Sequence, residues 1–83
     1  MNDFYARQLK NSAQQLYFWL LSAAQAIKDG DSAVYCALTA AEYAAKIDQW
    51  VARLDERGES DIDWETIAKD AYNAAKAELN KGE

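Results

Sequence analysis

The residues best placed for chemistry are carboxylates: Asp61, Asp63 and Glu65 alternate with uncharged residues in the most acidic stretch of the chain. Such spacing could hold a divalent cation or share a proton. A calcium loop would also need a glycine at its sixth position and a glutamate at its twelfth. Counting from Asp55 those positions are Ser60 and Thr66, and from Asp61 they are Thr66 and Tyr72. No metal site is therefore predicted.

Nucleophilic chemistry fares no better. The chain has no histidine, so the commonest general base is missing and Cys36, the single cysteine, has no imidazole to activate it. Zinc ligand sets that draw on histidine or several cysteines cannot be assembled, and no internal disulfide can form. Gly30, Gly58 and Gly82 are isolated and make no phosphate-cradling loop. These residues predict a non-enzymatic protein without a cofactor, one that acts by binding.

Charge placement says more. Of 14 acidic and 9 basic residues, six acids (Asp55, Glu56, Glu59, Asp61, Asp63, Glu65) and only Arg57 among the bases fall between positions 55 and 65. The remaining eight acids and eight bases cancel, so the whole net charge of −5 lies in that segment. An acidic chain without a basic patch is not expected to bind nucleic acid directly or an anionic membrane. Part of the acidity has a structural use, because acids near a helix N-terminus are favoured by its dipole. That accounts for Asp61, Asp63 and Glu65 but not for Asp55, Glu56 and Glu59, the first two of which fall at a helix C-terminal end.

These residues must be carried by helices. Eighty-three residues with seventeen alanines, ten aromatics and no proline predict one all-α domain spanning residues 1–83. Two segments interrupt the helical pattern, Lys28 to Ser32 and Arg57 to Asp63, each pairing a glycine that suits a left-handed helix end with a following Asp or Ser that suits an N-cap. Helices are predicted over Asp3 to Lys28, Ser32 to Arg57 and Trp64 to Asn80. Asp63 is the predicted cap of the third, with Ile62 and Ile67 as a hydrophobic staple across it. The expected architecture is an up-down-up three-helix bundle, two long antiparallel helices with a shorter third covering part of their groove.

The apolar spacing of four and three residues gives each helix a seam. On the first it runs through Leu9, Ala13, Leu16, Leu20, Ala23 and Ile27; on the second through Ala33, Cys36, Ala40, Tyr43, Ile47, Trp50 and Leu54; on the third through Trp64, Ala68, Tyr72, Ala75 and Leu79. Cys36 is accordingly expected as a buried structural thiol. Thr39, Glu42, Lys46, Gln49, Arg53 and Glu56 form the polar side of the second helix. Phe18 and Trp19 are surplus to the first seam, since Leu16 and Leu20 serve it and Tyr17, Leu21 and Ala24 form a stripe toward the third helix.

Two surfaces are thus expected to bind: the acidic segment, through Asp55, Glu56, Glu59 and Asp61, and the aromatic pair Phe18 and Trp19. The predicted function is a small acidic inhibitor or adaptor that docks on a protein partner, one with a basic, nucleic-acid-binding surface. A structural module forming a homodimer or larger homo-oligomer is the alternative. The acidic N-terminus, the lone cysteine and the absence of a long apolar run predict a cytoplasmic protein rather than a secreted or membrane-spanning one.

Overall fold

In a computed structural model, residues 3–56, 58 and 63–81 are described, and they form three helices: α1 over Asp3–Lys28, α2 over Val34–Glu56 and α3 over Trp64–Lys81. No strand occurs among the described residues.

The turn between α1 and α2 is built by Gly30. Its φ of +79° is readily adopted only without a Cβ. The Asp31 amide donates to the Ala26 carbonyl at 2.8 Å and the Gly30 amide to the Ile27 carbonyl at 3.1 Å, the paired bonds of a Schellman ending. Because Asp31 and Ser32 complete this turn, α2 begins later than its predicted start at Ser32. Its first helical bond runs from the Ala37 amide to the Ala33 carbonyl, and the Ser32 hydroxyl oxygen accepts only a long 3.4 Å bond from the Val34 amide.

Asp63 caps α3 as predicted. Its Oδ1 accepts the Thr66 amide at 3.0 Å, and its Oδ2 accepts the Thr66 hydroxyl at 2.6 Å. The side-chain bond and then the backbone bond from Thr66 hold the Asp63 carboxyl below the ordinary carboxylate range. The predicted staple lies outside the described residues, because Ile62 does.

α1 is the shared element. It packs against α2 and against α3, whereas α2 and α3 do not approach each other. The third helix therefore lies on α1 alone instead of covering the groove between the first two. This arrangement corrects the predicted seams. Leu9 is 2% exposed as expected, but Leu20 and Ile27 farther along the same seam are 48% and 68% exposed. On α3 the buried positions are Ala71 and Ala75, while Trp64 and Tyr72 remain partly in solvent. Small side chains let the α3 axis sit close to α1, and that contact favours the alanine row over the aromatic positions.

The α2 seam holds: Ala40 and Leu54 are buried, and Ala33, Cys36, Tyr43, Ile47 and Trp50 are half-buried. Cys36 is less enclosed than expected. Ser12, outside every predicted seam, is buried.

Candidate functional site

Aromatic side chains mark three places on the fold. Near the start of α1, Phe4 and Tyr5 meet Trp50 of α2 at ring-centroid separations of 5.8 and 5.4 Å, with the Arg53 guanidinium 5.4 Å from the Trp50 ring. In the middle, Tyr17 meets Tyr72 of α3 edge-on at 5.6 Å, so this member of the stripe assigned to the third helix faces it, whereas Ala24 of the same stripe is exposed. Toward the turn, Phe18 and Trp19 are edge-to-face at 5.4 Å and Trp19 continues onto Tyr35 of α2 at 5.6 Å. Such edge contacts contribute about 0.5–1.5 kcal/mol each beyond burial.

Phe18 and Trp19 are half-buried, neither core residues nor freely exposed. What covers Trp19 on one side is Tyr35, which is itself 71% exposed. Val34 and Leu38, next to Tyr35 on the helix surface, are each 63% exposed. Phe18, Trp19, Tyr35, Leu38 and Val34 thus form an apolar band crossing from α1 to α2 beside the turn. The sequence pointed to Phe18 and Trp19 but not to the α2 half. Val34 and Leu38 lie off the α2 seam at a spacing of four, a signal that an alanine-rich helix obscures.

Asp55 and Glu56 are exposed in the last turn of α2. Glu59 and Asp61, the other two acids of the predicted surface, lie outside the described residues. Asp55 also accepts the Gly58 amide on its carbonyl at 3.1 Å, and Gly58 has φ of +70°. The acidic segment therefore leaves α2 through the same kind of left-handed glycine as the first turn.

Between α1 and α2 a shallow groove of about 400 Å³ is lined by Gln8, Asn11, Gln15, Tyr43, Gln49 and Trp50, among others. Carboxamides dominate it, and the Lys46 ammonium on its wall lies 4.8 Å from the Tyr43 ring centre. It offers hydrogen bonds but no carboxylate pair for acid–base work. Among the described residues no group of three or more His, Cys, Asp or Glu gathers to hold a metal ion, and no helix is long and apolar enough to cross a membrane.

No protein family, curated protein or solved structure matches the chain.

Proposed function

We propose that this chain is a non-enzymatic protein-binding module, a stoichiometric inhibitor or adaptor that works in a reducing compartment and presents its acidic end to a basic partner surface. The observation that carries the reading is the mismatch between core and surface. Leu9 and Leu54 are the only large side chains buried among the described residues, whereas Ile27, Val34, Tyr35 and Leu38 are all more than 60% exposed. Exposed apolar groupings of this kind mark interaction surfaces. The charge placement supplies the sign of the partner: Asp55 and Glu56, with Glu59 and Asp61 following, would steer a basic surface by complementarity.

We further infer an up-down-up path. The pairing of Phe4 and Tyr5 with Trp50, and of Trp19 with Tyr35, supports opposite directions for α1 and α2. The Tyr17–Tyr72 contact supports a third helix parallel to the first, since seven residues between Glu56 and Trp64 are too few to climb back along the hairpin. On this path Asp55 and Glu56, in the last turn of α2, lie at the end opposite the Gly30 turn.

The test is capture from a native lysate at low and high salt, with the full chain and with a triple variant, Asp55→Asn, Glu56→Gln and Glu59→Gln. Salt-sensitive capture that the triple variant loses supports the reading; capture indifferent to both removes the acidic end from it. The second reading, a structural module that assembles with itself, is favoured by the apolar band, which carries little charge of its own.

A further inference from the structure

The groove between α1 and α2 contains a polar group that the fold itself does not use. Gln8, Ser12 and Gln15 line its α1 side at spacings of four and three residues, which sets them along one helix face. Ser12 is only 7% exposed. Its hydroxyl has no hydrogen-bond partner among the described residues, yet it is not sealed from solvent. A hydroxyl in mid-helix can bond back to the carbonyl four residues earlier, as Thr39 does to Tyr35 at 2.9 Å. The Ser12 hydroxyl instead opens on the groove floor, and a buried polar group without a partner is destabilising until something supplies one.

We propose that this groove is a binding site for a neutral saccharide of two linked pyranose rings. The site lies apart from the acidic end and does not depend on the docking reading. Its lining has no carboxylate to take a cation, and Lys46, its one cation, is set against the Tyr43 ring. A single ammonium on a chain of net charge −5 is a poor receptor for a phosphate. The remaining lining groups are carboxamides and hydroxyls, each able to donate and to accept. Vicinal sugar hydroxyls have the same double character and stand side by side within reach of one carboxamide.

Length and shape agree with this class. Tyr43 and Trp50 both line the groove and are seven residues apart on α2, about 10 Å at 1.5 Å per residue. That span accommodates two rings in line, with an aromatic wall for the C–H face at either end. The volume of about 400 Å³ lies at the small end of the range for ligand sites, roughly 300–1,000 Å³. A short extended peptide has the same length, but its successive amides point to opposite sides, so half of them would face away from the groove.

Amide chemical-shift titration of the full chain with cellobiose, maltose and lactose tests the site, with acetylated and amidated trialanine as the competing class. Saturable millimolar binding of at least one disaccharide is expected, with shifts centred on Gln8, Ser12, Gln15 and Gln49 and no weakening in high salt. Gln49→Ala, an exposed change on α2, and Ser12→Ala should each weaken binding roughly threefold or more, the loss of one hydrogen bond. The melting temperature of Ser12→Ala should hold or rise, because the hydroxyl it removes has no partner in the fold. Absence of saturable binding by all three sugars, equal or tighter binding of the peptide, loss of binding in high salt, or affinity indifferent to both variants would each overturn the proposal. So would a lower melting temperature for Ser12→Ala, which would assign the hydroxyl to the packing.

Discussion

Leu9 and Ile27 lie on one heptad seam, yet they are 2% and 68% exposed, so truncating each to alanine separates packing from pattern. Leu9→Ala removes apolar atoms from a fully enclosed site and leaves a cavity, a change that costs about 2–5 kcal/mol. A domain of this length has a total stability of roughly 4–12 kcal/mol, so this one substitution removes a large fraction of it. At about 4–8 °C per kcal/mol for a domain of this size, the melting temperature should fall by roughly 10 °C or more. Ile27→Ala withdraws little buried surface and gains slightly in helix propensity, and its effect should stay within about 0.5 kcal/mol. Thermal melts followed by far-ultraviolet circular dichroism, run dilute enough to exclude self-association, give both numbers. Equal shifts would refute the open end of the seam.

Two further outcomes follow from the same geometry. Trp50→Ala should destabilise by roughly 2–5 kcal/mol, because the ring meets Phe4, Tyr5 and Arg53, whereas Thr39→Ala, on the polar side, should do little; a parent-like melt for the Trp50 variant would count against the aromatic cluster. Asp63 has its folded pKa lowered by the Thr66 bonds, so its stabilising effect is fully present above about pH 4, the ordinary carboxylate range, and is lost as pH falls through the folded value. The parent should lose more melting temperature than Asp63→Ala over that acid range; parallel pH profiles would show that the cap carries no linkage.

Local features of this fold were legible in the sequence, and features that depend on which helices meet were not. The span of α1, the left-handed glycines at 30 and 58 and the Asp63 cap each depend on a few neighbouring residues, and each was read correctly. The seam through Leu20 and Ile27 and the positions of Trp64 and Tyr72 failed because periodicity identifies an apolar face without saying how much of its length a partner helix covers. Ser12 gave no signal, since its burial depends on the close approach of another helix to a small side chain. Of the candidate site, charge placement and the Phe18–Trp19 pair could be read directly. Tyr35, Val34 and Leu38 could join that pair only after the turn had brought α1 and α2 side by side.

The way α1 alone touches both other helices also shapes how the molecule comes apart. The contacts form a chain, α2 to α1 to α3, rather than a closed triangle. In a linear arrangement each interface contributes its own term, as between neighbouring units of a repeat array. Damage to the small-residue contact at Ala71 and Ala75 releases α3 without disturbing the α1–α2 hairpin, and substitutions on the outer faces of α2 and α3 add their effects without coupling. Detachment of α3 is thus a sub-global opening with its own free energy, one through which the backbone amides of the last helix exchange with solvent while those of the hairpin remain protected.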